Sequence, residues 1–388
     1  MFINLKKQIK LLYISTRLLS AMFVVFLASC TSKGTNPQDA ERPDSILHVQ
    51  YAKGFAVSYF PHYKRVDVFD PWRKGKIYMR YYLVKNNEFS TPQDGQKVLI
   101  PLQKIAATSC THFEFLHLLG ELNSIKGVCS PHLIYNAALR EKYATGDLEN
   151  FGDAFSMNIE KTLFLNPDAL FLSGFSQEQT VGNRLMKNGI AVIYNNEWME
   201  NSLLARAEWI KFIAAFYDKE TAAAECFDDV ATQYNAMKAI VENVSVRPAV
   251  LTGGNFGGTW YMPGGMNYMA RLFTDAGGDY FYAKNKDTGS LPLNFEQVLK
   301  HFHNADVWVG AFSDSLDELA RADERNILFS AMKNKRVYNF NKRYLPDGAN
   351  DFWESGIAHP HWILADMIKA LHPSLLSEHE FVYMRKIE

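Results

Sequence analysis

From Asn201 to Asn243 the chain contains neither glycine nor proline, and its apolar residues recur at helical spacing, at Trp209, Phe212, Ile213 and Phe216 and again at Ala231, Tyr234, Met237 and Ile240. This is the longest helical text in the chain, with Tyr217-Asp218-Lys219 as the place for a kink. On both sides the pattern changes to short apolar runs alternating with helical segments. Ala169-Leu-Phe-Leu-Ser173, bounded by Pro167 and Gly174, is continuously apolar, as befits a strand buried on both faces. A helix over 177–187 and a strand over 190–194 follow it. Beyond the long helix, strands are expected at 248–252, 306–310 and 336–340. Alternating βα units of this kind argue for parallel sheets covered by helices. The predicted fold class is therefore α/β: two parallel-sheet βα lobes, 48–200 and 247–388, joined by a single long helix within 201–246.

The first lobe opens differently. Residues 49–84 alternate, as in Val57-Ser58-Tyr59-Phe60 and Arg65-Val66-Asp67-Val68-Phe69, and are broken by Pro61, Asp70-Pro71 and Gly75. This predicts a small N-terminal antiparallel strand segment. A strand over 98–107, a helix over 111–119 and a strand over 125–129 come next. Thr111 and Glu114 have capping-box spacing, and Gly120 can end the helix. An internal echo links the lobes. Asn158-Ile-Glu160-Lys-Thr-Leu163 precedes Asn166-Pro-Asp168-Ala-Leu-Phe-Leu172, and Asn294-Phe-Glu296-Gln-Val-Leu299 precedes Asn304-Ala-Asp306-Val-Trp-Val309. Each reads as a short Asn-capped helix leading through an Asx turn into a buried strand.

At the N-terminus, Lys6, Lys7, Lys10 and Arg17 precede an apolar run, Leu18 to Ala28, with no acidic residue before it. A membrane span needs ~20 apolar residues, so residues 1–29 read instead as a signal peptide. The run ends in Leu27-Ala28-Ser29-Cys30, which resembles a bacterial lipobox, with Cys30 as the residue that receives lipid. Residues 31–39 are polar and lack aromatics, so 30–47 is expected to be a lipidated, flexible tether. The expected location is the periplasm, lipid-anchored to a membrane of the bacterial cell envelope. Hydrophobic residues make up 47% of the chain, enough for a core in each lobe. Removal of the four basic residues of the signal leaves 37 basic and 42 acidic side chains, a net charge of −5 with histidine neutral. That balance favours neither nucleic acid nor an anionic membrane surface as a partner.

After Cys30 only Cys110, Cys129 and Cys226 remain, too few for a disulfide framework, and a Cys110–Cys129 bridge stays open. Cys110-Thr-His112 and Cys129-Ser-Pro-His132 carry ligand types suited to zinc or copper, but their spacings match no standard site, so neither a metal site nor a cofactor is expected. His359-Pro-His361 reads as surface capping at a helix start. The chain has no nucleophile elbow, Walker A loop, HExxH or EF-hand pattern, and Asp228-Asp229 reads as a solvated helix face, so an enzymatic role is not expected.

The stretch Gly253-Gly-Asn-Phe-Gly-Gly-Thr-Trp-Tyr-Met-Pro-Gly-Gly265 is the most informative one for binding. Its glycines rule out a regular helix and let backbone approach a ligand, while Phe256, Trp260 and Tyr261 supply flat apolar faces suited to a large planar or ring-shaped molecule. The spacing is not the GxGxxG of a dinucleotide site.

Several phrases, in their order along the chain, carry a family resemblance: Tyr51-Ala-Lys-Gly-Phe55, Asp70-Pro-Trp72, Arg247-Pro-Ala-Val-Leu251, Asp275-Ala-Gly-Gly278, and Asn350-Asp-Phe-Trp-Glu-Ser-Gly356 leading into His359 through Pro373. With the lipobox and the two lobes, they resemble the ABC-importer solute-binding proteins that carry iron-siderophore complexes, haem and vitamin B12. The resemblance implies a ligand held between the lobes, on loops that follow strands. Candidates are Thr108, Ser109, His112, Ser130, His132, Tyr135 and Phe175 in the first lobe, and Asn255, Phe256, Trp260, Tyr261, Phe312, Tyr344 and Trp353 in the second. It also implies a monomer that captures a small-molecule metal chelate, an iron-siderophore or a cobalamin-type corrinoid, and passes it to an ABC permease and its ATPase. Haem is an alternative ligand, with His112, His132 or Tyr261 as axial group. A lipoprotein enzyme that processes chelates on the same scaffold is a further alternative. Members dock to the permease through an acidic residue on each lobe. Glu178 stands where the first would be, whereas Gly264-Gly-Met-Asn267 offers no carboxylate for the second.

Overall fold

A computed structural model of the chain describes residues 42–175 and 180–388. The first strands are β1 (Ser45–Ile46), β2 (Phe55–Tyr59), β3 (Lys64–Phe69), β4 (Ile77–Val84) and β5 (Gln96–Leu99), which form one sheet in that order. β1 to β4 pair antiparallel, as the alternation predicts, and β5 adds to β4 in parallel. β1 lies inside the stretch 30–47 read as tether, and there the Asp44 and Leu47 amides donate to Tyr59 O and Val57 O. The expected strand over 98–107 is two strands. Pro101 has no N–H to continue a ladder, and the chain passes there from the first sheet to the second.

The second sheet holds β6 (Ile105–Ala107), β7 (Ile125–Val128), β8 (Glu149–Asn150), β9 (Ala169–Leu172) and β10 (Ala191–Tyr194), all parallel, in the order β10-β9-β6-β7-β8. β9 is buried along its whole length, as its unbroken apolar text requires. The Gln96 side chain ties the two sheets together. Its Nε2 donates to Val192 O at 3.0 Å and its Oε1 accepts Val192 N–H at 2.9 Å.

The helical text after β10 folds as Leu203–Ala207, Ile210–Ala215 and the 21-residue helix Glu220–Ile240. The kink expected at Tyr217–Lys219 is a full break, where Asp218 adopts a left-handed backbone. The second lobe contains β11 (Val250–Thr252), β12 (Asn255–Phe256), β13 (Thr259–Pro263), β14 (Ser290–Leu293), β15 (Val307–Val309), β16 (Val337–Asn339) and β17 (Arg385–Lys386). β11, β15 and β16 run parallel and β17 closes the edge antiparallel, while β12, β13 and β14 form a separate antiparallel sheet. The glycine-rich stretch is thus a β-hairpin, with Gly257-Gly258, both at positive φ, as its two-residue turn.

Buried carboxylates explain several of the resembling phrases. Glu208 accepts the amides of Gln50, Tyr51 and Ala52, and Glu200 those of Lys53 and Gly54, which clamps Tyr51–Phe55 onto the connecting helices. Asp70 Oδ1 accepts the Trp72 and Arg73 amides in an Asx turn. Asp275 accepts the Tyr234 hydroxyl at 3.0 Å and pairs with Lys238 at 2.8 Å, joining the helix Tyr268–Asp275 to the long helix. Asp366, in the closing helix Pro360–Leu371, takes the amides of Val382, Tyr383 and Met384.

Candidate functional site

In a parallel sheet the loops at the C-terminal ends of the strands are the usual place for a ligand. The loops after β6 and β7 meet the segment after β16. Tyr135 and Asn136 donate their amides to Glu354 at 2.7 and 2.8 Å, Arg140 pairs with Asp347 at 2.8 Å, and the Leu133 side chain lies against Gly348. The C-terminal edges of the two parallel sheets therefore face each other. The loops after β9, β11 and β15 leave the same C-terminal edges.

Large aromatic rings on these loops are exposed to a degree unusual for such residues. Phe312 is 83% exposed, Phe256 81% and Phe155 77%, and Phe175, Tyr261, Tyr344 and Trp353 are about half exposed. In the first lobe Phe175 is flanked by Phe155, at 5.0 Å between ring centroids, and Trp198, at 5.8 Å. This makes an aromatic shelf beyond β9 and β10. In the second lobe Phe312 sits in left-handed backbone at φ 53°, a conformation that costs a non-glycine residue ~1–2 kcal/mol. Its N–H is held by Asn339 Oδ1 at 3.2 Å. A strained, exposed Phe beside Gly254 is a feature that packing alone does not reward.

Other predicted positions have different roles. Trp260 is 1% exposed. Its Nε1 donates to Thr252 O at 2.8 Å and its ring packs on Trp308 and Phe329, so it belongs to the core. The reason is strand alternation: β13 turns Trp260 and Met262 inward, which leaves Tyr261 outward. His112 is also a core residue, fully buried beside Phe171, and neither ring nitrogen has a hydrogen-bond partner among the described residues. Burial holds its imidazole down to about 3, so it stays neutral. Thr108 is buried and donates to Phe171 O at 3.2 Å.

Ser109, rather than Thr111, caps the helical turn Cys110–His112. Glu114, the other half of the expected box, instead reaches His359 Nε2 at 3.0 Å. His359 and His361 lie on the junction of the lobes and not on an open surface. His361 is buried, and burial lowers its imidazole to about 4. Ser130 takes a left-handed backbone and donates its N–H to Gly152 O, His132 is exposed, and the Tyr135 ring lies 5.7 Å from the Arg343 guanidinium carbon. Asn255 is exposed and reaches Asp323 at 3.4 Å.

Cys110 and Cys129 are free thiols, pushed up to about 12 by burial. Among the described residues no three His, Cys, Asp or Glu side chains converge as a metal site would require. Cys30 and Glu178 lie outside the described residues. The sequence reading did not single out Phe155, Trp198, Arg343 or Glu354. An aromatic in a polar Gly-Asp-Ala-Phe loop is the available signal for Phe155, whereas Glu354 is marked only by its place in the resembling phrase Asn350–Gly356.

A family model described as periplasmic binding protein matches residues 105–344. An uncharacterised lipoprotein of Methanocaldococcus jannaschii is 25% identical over 352 residues, which span 84% of this chain and 82% of the relative. Among solved structures, the periplasmic haem-binding protein RhuT from Roseiflexus sp. RS-1, in apo form, is similar with a TM-score of 0.54 at 18% identity, over 70% of this chain and 99% of its own. The periplasmic vitamin B12-binding protein BtuF of Vibrio cholerae is similar with a TM-score of 0.51 at 14% identity, over 72% and 99%. At these identities the two structural likenesses are of fold.

Proposed function

The chain belongs to the periplasmic binding protein family, and from that premise we propose that it captures a metal chelate, a cobalamin-type corrinoid or an iron-siderophore, in the cleft between its lobes and delivers it to an ABC permease powered by an ATPase. The observation that carries this reading is the set of exposed rings on loops of both lobes, Phe155 and Phe175 on one side and Phe256 and Phe312 on the other. Exposed flat apolar faces order water that is released when an apolar or ring-shaped ligand covers them, so such a ligand is favoured there. In this reading residues 48–200 and 247–388 are the lobes and 201–246 the connector, the protein works as a monomer, and Glu178 is a docking contact for the permease.

Lipid on Cys30 fits the same reading. A tethered carrier is kept at high effective concentration beside its membrane partner, and a relative that spans most of the chain is named a lipoprotein.

Haem is the second reading. Its support is the exposed imidazole of His132 and the exposed phenols of Tyr261 and Tyr344, each a chemically suitable axial ligand. Titration of the purified protein with cobalamin, ferric siderophores and haem, followed by Trp fluorescence, separates the two. Binding of none of them, together with turnover of a chelate, would overturn both.

A further inference from the structure

The segments that follow the parallel strands are poor in cations. In the first lobe residues 108–112, 129–136, 151–158, 173–175 and 195–202 hold no lysine or arginine, and in the second 253–258 and 310–315 hold none. The four residues after Phe175 add none. Residues 340–354 alone carry such side chains, Lys342 and Arg343. The same segments, the four residues after Phe175 left aside, carry seven Asp and Glu.

Both cations are occupied. Arg343 Nη1 lies 2.9 Å from Asp351 Oδ2, and Lys342 Nζ donates to Phe381 O. Arg140 and Arg206, which project from adjoining helices, are occupied as well, by Asp347 at 2.8 Å and by Glu197 at 2.8 Å. Several carboxylates, by contrast, are met by amides. Asp153 Oδ1 accepts the Phe155 amide in an exposed turn beside the aromatic shelf, Glu200 accepts the Lys53 and Gly54 amides, and Glu354 those of Tyr135 and Asn136. Among the described residues no lysine or arginine of these segments is left to meet an anion.

The exposed rings of Phe155, Phe175, Phe256 and Phe312 act in the same sense, since the face of an aromatic ring carries partial negative charge. A ligand entering the cleft sheds hydration. For a neutral molecule, apolar contact with the rings outweighs that loss. An anion must instead find a cation, or its charge is left poorly solvated among carboxylates and ring faces.

Resting on the reading of this cleft as the ligand site, we propose that the cleft selects by charge and takes a metal chelate with no net negative charge. Iron chemistry makes the distinction sharp. A ferric ion held by three singly charged hydroxamates is neutral, whereas three doubly charged catecholates leave a trianion. Cyanocobalamin is neutral overall, and haem brings two carboxylates. Ferric tris-hydroxamates and corrinoids therefore fit the cleft, and tris-catecholates and haem do not.

Fluorescence titration of the full chain at about pH 8, where imidazole is uncharged, tests this with ferrichrome and cyanocobalamin as neutral probes and ferric enterobactin and haem as anionic ones. At least one neutral probe is expected to bind about a hundredfold or more tighter than either anion. Its affinity should change by less than about twofold between about 50 and 500 mM KCl, because no ion pair forms. Phe256→Lys places a cation on the exposed hairpin tip and should shift the preference toward the anions by about tenfold. Lys74 and Lys76 are exposed on the turn between β3 and β4, outside these segments, and Lys74→Gln with Lys76→Gln should leave the preference as it is. An anion bound as tightly as the neutral probes, a steep salt dependence, a preference unmoved by Phe256→Lys or one abolished by the double lysine variant would each overturn charge selection while the chelate reading stands. Binding of none of the four would overturn the chelate reading itself, and charge selection with it.

Discussion

Asp168 Oδ2 accepts the backbone N–H of Lys104 at 2.8 Å, and the Asp168 amide returns to Lys104 O at 2.7 Å. The aspartate at the start of β9 thereby fixes the start of β6 beside it. In the second lobe Asp306 Oδ2 accepts the Ala249 amide at 2.7 Å and its own amide donates to Ala249 O, which fixes β11 beside β15 in the same way. The sequence echo around these residues is thus a repeated device for opening a parallel strand pair, with Asn158 and Asn294 capping the preceding helices in both copies.

Replacement of Asp168 by Ala should remove two carboxylate-to-amide bonds, since Gln103 also donates to it, and lower stability by about 2–3 kcal/mol. Asp306→Ala, which loses one such bond, should cost about half as much. Urea unfolding midpoints of the two variants check this, and equal or negligible losses would contradict it.

Trp260 and Phe256 are close in sequence and should behave oppositely. Trp260→Ala empties a core site and is expected to cost about 3–5 kcal/mol. Phe256→Ala should leave stability within ~0.5 kcal/mol and weaken ligand binding by about tenfold. Denaturant unfolding and fluorescence titration, run on both variants, separate the roles.

Phe312 combines exposure with a left-handed backbone. Phe312→Gly should relieve the strain and raise stability by up to about 1 kcal/mol, while ligand affinity falls. A loss of stability with unchanged affinity would show instead that the ring supports the fold.

His112 gives a pH dependence with a definite sign. Its folded value, about 3, lies below the ordinary 6.5, so the unfolded chain binds the proton first and stability falls as pH drops below about 6.5, reaching about 2 kcal/mol of loss at pH 5 from this group. Glu354 acts in the opposite direction over the same range, because its folded value is raised. The comparison that isolates His112 is therefore wild type against His112→Leu across pH 5 to 7, with a flatter profile expected in the variant.

The architecture was largely legible in the residues. The unbroken apolar run Ala169–Leu172, bounded by Pro167 and Gly174, points to a strand buried on both faces, and the glycine- and proline-free stretch before Asn243 points to helix, although not to its break at Asp218. These are local properties, set by the period of the backbone and by the need to bury each apolar side chain. The individual binding positions were less legible. Trp260 and Tyr261 look equally suitable as text, and strand parity alone sends one to the core and the other to solvent. His112 reads like His132, yet one is enclosed by the first lobe and the other is exposed. Glu354 stands inside the resembling phrase Asn350–Gly356, but nothing local in that phrase marks its partners. Its role depends on the amides of Tyr135 and Asn136, more than two hundred residues away, being brought within hydrogen-bond reach. Local patterning is dictated by neighbours along the chain, whereas the charge state and partner of a buried group are dictated by whatever the folded lobes bring against it, and this only the tertiary structure decides.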